Sequence, residues 1–313
     1  MKLLRLIPSN TNIDFLFIKN FAFLFSILII SGTLLSLFFN NLNYGIDFKG
    51  GILLEVRAKN VEKSNINELR QKVLTLNAGE ISIQNFGKEG DFLIRIQKQD
   101  GDQKQQIAMI EKVKSVTNKD YNVRRSEFVG PVVGDELKTA GMLAVSLALL
   151  SIMVYIWFRF EWQFSIAAII ALTHDVLTTV GLFSILQLEF NLATIAAILT
   201  TAGYSINDTV VIFDRVRENL RRYKSKDHYF IYNKSINETL SRTVITSVTT
   251  LIALFIIFFF GGAVLSDFAL AMIWGVLIGT FSSIFVAVSL LTFFNINKGD
   301  KIEDQPNVPE YER

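Results

Sequence analysis

Six long apolar runs divide the chain, near residues 20–40, 139–158, 163–186, 190–213, 241–261 and 267–294. Each is long enough to cross a hydrocarbon core as a helix, which takes about 17 to 25 apolar residues. Between 41 and 138 the pattern changes to short runs of mixed polarity. Positions 52–58 alternate as a strand, and 63–76 has helical periodicity with Ile66, Leu69 and Val73 on one side. Two further strands are expected at 80–86 and 92–96, around a turn at 87–91. A second helix follows at 103–116, with Ile107, Ile110, Val113 and Val116 inward, and a last strand at 121–128. The order βαββαβ is the split βαβ, ferredoxin-like arrangement.

The expected fold is therefore an α-helical membrane protein of six transmembrane helices with an inserted α+β ferredoxin-like domain on the outer side. The expected division is a head and first helix over 1–40, the ferredoxin-like domain over 41–138, helices two to six over 139–294 with a cytoplasmic linker at 214–240, and a tail at 295–313. Asn41 to Lys138 shows no catalytic constellation and reads equally as a spacer or as a surface that grips something extended.

Composition sharpens this picture. Of 313 residues, 50% are hydrophobic and 27 are Phe, which places the chain among membrane proteins. A net charge of +2 calls for no nucleic-acid partner. The absence of cysteine and the presence of only two histidines, His174 and His228, exclude disulfides, thiol catalysis, zinc ribbons and haem attachment. The first run follows Lys2, Arg5 and Lys19 and exceeds the roughly 7 to 15 apolar residues of a cleavable signal, so it reads as a retained anchor. Basic residues gather after the fourth run (Arg215, Arg217, Arg221, Arg222, Lys224, Lys226, Lys234), at Arg159, and in the tail (Lys298, Lys301, Arg313). The connections at 187–190 and 261–267 carry no Lys or Arg, so both termini are expected in the cytoplasm.

Two charges stand where charge is costly. Asp208 lies in the inner half of the fourth run and Arg242 opens the fifth. At a helix centre each costs about 2.5 to 3.5 kcal/mol, so both are expected to be paired or used. Ser205, Tyr204, Thr201 and Thr200 share a helical face with Asp208, while Thr246, Thr249 and Thr250 continue from Arg242. Asp208 lies eighteen residues from Phe190 and Arg242 eighteen from Phe260, about 27 Å at the helical rise. Antiparallel neighbours would hold acid and base at similar depth. A proton crossing about 100 mV gains about 2.3 kcal/mol, comparable with the cost of an unpaired charge, so protonation of Asp208 is a means of releasing Arg242. The pair is a candidate proton gate, set against a permanent ion pair or a snorkelling arginine.

His174 and Asp175 in the third run are weaker relay candidates, with helix-to-helix hydrogen bonding as the simpler role. Gly275, Gly279 and Ser283 are spaced four apart, which suits close helix packing. Glycines also mark both junctions of the domain. Gly45, Asp47, Gly50 and Gly51 follow the first run; Gly130, Pro131 and Gly134 precede the second, and they read as hinges or as loop punctuation. No phosphate-binding Gly-x-x-x-x-Gly-Lys loop, His-Glu-x-x-His or Gly-x-Ser-x-Gly pattern is present, so ATPase, protease and esterase chemistry lack their parts. No enzyme activity, cofactor or metal is implied.

With these motifs in place the chain resembles the SecF family, a subunit of the bacterial export complex SecDF in the proton-driven RND superfamily. The likeness is carried by Gly45-Ile46-Asp47-Phe48-Lys49-Gly50-Gly51, Val129-Gly130-Pro131-Val132-Val133-Gly134, Thr173-His174-Asp175-Val176, Gly203-Tyr204-Ser205-Ile206-Asn207-Asp208-Thr209 and its continuation to Asn219, and Asn237-Glu238-Thr239-Leu240-Ser241-Arg242-Thr243. The resemblance implies a subunit in the bacterial inner membrane with its domain in the periplasm. Its implied partners are SecD, the SecYEG channel, an unfolded preprotein and membrane lipid, with Asp208 and Arg242 in the proton path. The alternatives are half of a proton-coupled small-molecule exporter, against which the small domain counts, and a passive scaffold subunit.

Overall fold

The computed structural model describes residues 11–61, 64–76, 78–79, 81–86, 88–96 and 103–296. Lys2, Arg5, Lys63, Gly87 and the tail cations Lys298, Lys301 and Arg313 lie outside the described residues. Six helices are long and apolar enough to cross a membrane. They are α1 (Lys19–Asn40, preceded by the short helical turn Leu16–Ile18), α5 (Pro131–Arg159), α6 (Trp162–Leu186), α7 (Leu192–Arg222), α8 (His228–Phe260) and α9 (Ala263–Phe281). The last continues through a π-helical stretch, Ser282–Ala287, into a closing turn, α10 (Val288–Leu291). In α6 and the last span, 61% and 72% of the most apolar window is buried; in α1, α5 and α8 only 22%, 11% and 17% is. The first two are the centre of the bundle, and the others present broad apolar faces outward.

Between α1 and α5 lie β1 (Asn43–Tyr44), α2 (Ile46–Lys49), β2 (Gly51–Ala58), α3 (Ile66–Leu74), β3 (Ile81–Asn85), β4 (Asp91–Ile96), α4 (Gln103–Thr117) and β5 (Tyr121–Val129). The strands β2 to β5 form one antiparallel sheet in the order β3-β4-β2-β5, which realises the βαββαβ pattern. Ile52, Leu54 and Val56 alternate toward α3 and α4, where they meet Ile83, Phe92, Ile94, Leu69, Val73, Ile110 and Val113. Each aliphatic side chain fully removed from water there contributes about 1.5 to 3 kcal/mol. The opposite face carries Leu53 and Leu93, which pack on Ile46 of α2.

Three local differences from the sequence pattern have physical causes. In α4 the buried side follows Gln106, Ile110, Val113 and Thr117, leaving Ile107 50% exposed. The 4-3-4 spacing of that set is a better helical stripe than one through Ile107, and Thr117 Oγ1 satisfies itself on the Val113 carbonyl at 2.9 Å. The stretch at 214–240 is mostly helix: α7 runs on to Arg222 and α8 starts at His228. Charged residues hold that extension together. Arg215 bridges Glu218 and Glu238 at 2.6 Å each, Asn219 donates to Ser235 Oγ at 3.0 Å, and Asp227 caps α8 by accepting from the Phe230 N–H. Finally, Gly130 sits at the N-cap of α5 with Pro131 in its first turn, so this junction is a helix start. A missing N–H costs nothing there.

A second, two-stranded sheet joins the domain to the bundle. β1 runs parallel to β6 (Glu189–Phe190), pairing Asn43 with Glu189 and Tyr44 with Phe190.

Candidate functional site: carboxylates inside the helix bundle

The Asp208 side chain points into the bundle from the middle of α7 and is 3% exposed. Its Oδ2 is buried without a hydrogen-bond partner among the described residues. Arg242 lies on an exposed face of α8, near enough for its charge to act on the Asp208 carboxylate. No ion pair within 4.0 Å joins the two among the described residues. The arrangement is a separated acid and base, not a closed salt bridge.

The polar stripes expected on α7 and α8 meet only in part. Thr201, Ser205 and Thr209 are buried with Asp208, whereas Thr200, Gly203 and Asn207 are exposed. On α8, Thr246 and Thr249 donate back to the carbonyls of their own helix, Arg242 and Ile245, and Thr249 is exposed. The cross-helix link is made instead by Ser247, which accepts from the Tyr204 hydroxyl at 3.2 Å and shares a 2.8 Å hydrogen bond with Thr280. Spacing along one helix gives a face, but which neighbour covers it is decided by the packing of all six.

One turn before Asp208 on α7, Ser205 Oγ donates at 2.5 Å to Asp175 Oδ2. Ser282 Oγ, the first residue of the π-helical stretch, donates to the same oxygen at 2.6 Å, and His174 Nδ1 lies 2.8 Å from Asp175 Oδ1. Asp175 is fully buried, so α6, α7 and the last span all meet on one carboxylate. Ser205 and Ser282 each donate to Asp175 from a different helix and hold it in place. A π-helical stretch widens one turn, and here it aims Ser282 at Asp175. The partners of Asp175 were not identifiable from sequence, because they come from helices thirty and more than one hundred residues away.

Close approach of the helices makes this meeting possible. A Cβ on Gly275 would fall 2.2 Å from Thr201 Oγ1, and one on Gly279 would fall 3.0 Å from Ser205 Cβ. The small residues spaced four apart are therefore the seam between α9 and α7. At the other end of α7, Asn191 and Thr194 form a capping box, and Asp47 Oδ2 accepts from the Leu192 N–H at 2.9 Å. Asp47 and Gly45 thus lie against the start of the helix that carries Asp208, while Gly50 lies against Gly134 of α5 and Gly51 pairs with Val129 in the sheet. Gly50 and Gly51 have φ of +69° and +125°, a backbone that favours glycine.

Residues 108–297 match the family model described as protein export membrane protein SecD/SecF, C-terminal, and residues 35–60 match the SecD/SecF GG motif. The protein translocase subunit SecF of Rickettsia bellii is 44% identical over 302 residues, covering 95% of this chain and 98% of that protein. The chain belongs to the SecF family. The SecF of Rickettsia rickettsii is 42% identical over 304 residues, with 95% and 97% covered. Among solved structures, SecDF of Thermus thermophilus, titled a translocon-associated membrane protein, superposes with a TM-score of 0.82 at 35% identity over 92% of this chain. SecDF in a form titled super-membrane-facing gives 0.66 at the same identity. This SecF-family chain spans 39% of the length of each SecDF chain. The GG-motif match covers the segment around Asp47 at the start of α7, and the larger match covers the Asp175 and Asp208 helices.

Proposed function

We propose that this SecF-family protein is an accessory subunit of the Sec translocase that pairs with SecD, acts beside the SecYEG channel, and uses proton flow to complete export of unfolded preproteins. In this reading it spans the inner membrane with both termini in the cytoplasm and the α/β domain in the periplasm, and the basic residues of the short connections support that orientation. The observation that carries the proton role is the buried Asp208 oxygen without a partner, with the Arg242 charge within electrostatic reach on the neighbouring helix. An ionised carboxylate in that position is held by the arginine across a gap; a protonated one releases it. The driving force of about 2.3 kcal/mol per 100 mV is the right size to reverse such a balance.

The open faces support a membrane partner. Thr200 and Asn207 on α7 and Arg242 and Thr249 on α8 stand uncovered on this chain alone, and polar groups at membrane depth need protein or a water-filled cavity against them. Helices of SecD are the proposed cover. Asp175, which receives hydroxyl bonds from two other helices, serves as the fixed hub of the bundle with His174 beside it on α6, and in this reading neither carries the transported proton.

The test is passenger release from vesicles carrying the complete complex, with and without a pH gradient. Asp208→Asn and Arg242→Ala are each expected to remove the gradient-dependent part of export while the subunit still assembles with its partner. Normal export rates in both variants at normal protein level would overturn the proton role and leave a scaffold.

A further inference from the structure

The junction between the α/β domain and the bundle contains more ties than a flexible linker needs. Strand β1 is hydrogen-bonded in parallel to β6, and Gly45 N–H donates to the Phe190 carbonyl at 2.9 Å. Asp47 caps α7 through Leu192. Gly45 lies so close to Glu189 that a Cβ there would fall 2.4 Å from its carboxylate oxygen. Tyr44, Phe48, Phe183 and Phe190 form an aromatic cluster around the same point. All of these fasten the segment following α1 to the end of α7.

An ion pair adds to the chain connection through Gly50 in tying the sheet to that unit. Arg95, on β4, bonds to the carboxylate of Glu189, and the two side chains are only 14% and 11% exposed. Leu53 and Leu93 of the sheet rest on Ile46 beside it, so the polar tie and the apolar contact lie together. Three residues after Glu189, α7 begins, and sixteen residues further along it stands Asp208.

We infer that the α/β domain and the adjoining end of α7 move as one body, with Arg95 and Glu189 as the positioning pair that transmits displacement of the Asp208 helix to the domain. This rests on the proposed proton role of Asp208. A helix transmits axial and tilting movement along its length because its hydrogen-bond ladder is stiff, so a fixed attachment at its first turn carries that movement into whatever is attached. A nearly buried ion pair suits the task, since removing one partner leaves the other charged and uncompensated.

The experiment measures proton flux and passenger export together in vesicles carrying the whole complex, and reads export per proton. Glu189→Gln and Arg95→Gln are expected to keep assembly and proton flux while export per proton falls by about tenfold or more. The chain has no cysteine, so Arg95→Cys with Glu189→Cys can be joined specifically by a short reducible thiosulfonate linker. Joined, the pair is expected to regain export per proton; reduced, it is expected to lose it. An unchanged ratio in the single variants, or a linked pair that stops export until it is reduced, overturns the inference, because the domain would then work free of α7. An unaltered complex whose export ignores the proton gradient would instead defeat the proposed proton role before any variant is compared.

Discussion

Replacing Gly275 by alanine tests whether the α7–α9 seam is as tight as its geometry requires. The new Cβ would lie 2.2 Å from Thr201 Oγ1, 2.3 Å from Cγ2 and 2.8 Å from Cβ. Thr201 is β-branched and stiff in a helix, and both branches are struck, so exchanging their positions gives no relief. The helices must separate by a fraction of an ångström, and overpacking of this kind costs about 1 to 3 kcal/mol. The seam also carries Ser205, whose bond to Asp175 is already short at 2.5 Å, so separation stretches that link as well. Thr201→Ala removes the two nearest atoms and gives up only a 3.5 Å contact to Met272 Sδ. Combined with Gly275→Ala it is expected to recover most of the loss, giving a coupling of about 1 kcal/mol or more in a double-mutant cycle. Unfolding of the detergent-solubilised chain by a denaturing detergent, followed by tryptophan fluorescence, supplies the four stabilities; one of its three tryptophans, Trp274, adjoins the site. If Gly275→Ala costs nothing, or the two changes add within about 0.5 kcal/mol, the close approach has been misjudged.

The Asp175 hub and the domain's own ion pair give two further expectations. Asp175→Leu strands Ser205 and His174 without an acceptor, while Ser282 retains the Gly279 carbonyl at 3.2 Å, so the loss should be about 2 to 4 kcal/mol. Asp175→Asn keeps an accepting oxygen and is expected to cost less and to leave gradient-driven export close to normal; loss of that export in a folded Asp175→Asn protein would make Asp175 a proton carrier. In the α/β domain the Arg57 hydrogen bond holds the Asp91 carboxyl below the ordinary carboxylate range, against the opposing effect of burial. A lowered value means stability that is full above the unfolded carboxylate pKa near about 3.9 and is lost as pH falls through the folded value. Asp91→Asn should therefore lower the domain's thermal midpoint at neutral pH, and the gap to the unaltered chain should close below about pH 4. A gap that is the same at pH 7 and pH 3 would remove the ion pair as its cause.

Legibility followed the range of the interactions. The α/β domain could be read because Ile52, Leu54 and Val56 alternate and Leu69 and Val73 repeat at helical spacing, both local signals of one buried face. Asp208 could be read because an acid in an apolar run is conspicuous. Glu189 and Arg95 could not: one sits in a short connection and the other on a strand face, where charges are ordinarily solvated, and only the fold buries them together. The nearest signal was Gly45, whose missing side chain makes room for the Glu189 carboxylate. The continuation of α7 and α8 beyond the apolar runs was masked by charge: Val216, Leu220, Ile231, Tyr232, Ile236 and Leu240 keep a buried helical face, but the charged residues between them, Arg215 and Glu238 among them, lower the apolarity of the stretch. Ile107 is apolar but lies off the phase of the buried stripe through Gln106, Ile110 and Val113, so its hydrophobicity does not mark the core side of the helix.

Small residues and directional bonds divide the work inside the bundle. Thr201 faces Gly275 and Ser205 faces Gly279, two pairs advancing in steps of four along helices that run the same way. Such a seam is nearly self-similar: a shift of one turn, about 5.4 Å, would again set a small hydroxyl residue against a glycine. Packing volume alone therefore distinguishes weakly between neighbouring registers. Asp175 distinguishes strongly, because its Oδ2 takes one bond from Ser205 on α7 and another from Ser282 on the continuation of α9. Neither helix can slide past the other without surrendering a hydrogen bond in a dry interior, where nothing replaces it. With one end of α7 bound to the α/β domain and its middle pinned at Ser205, Asp208 lies one turn beyond the pin, with an oxygen that has no hydrogen-bond partner among the described residues and that feels the charge of Arg242. A change of charge there is opposed by no hydrogen bond to that oxygen.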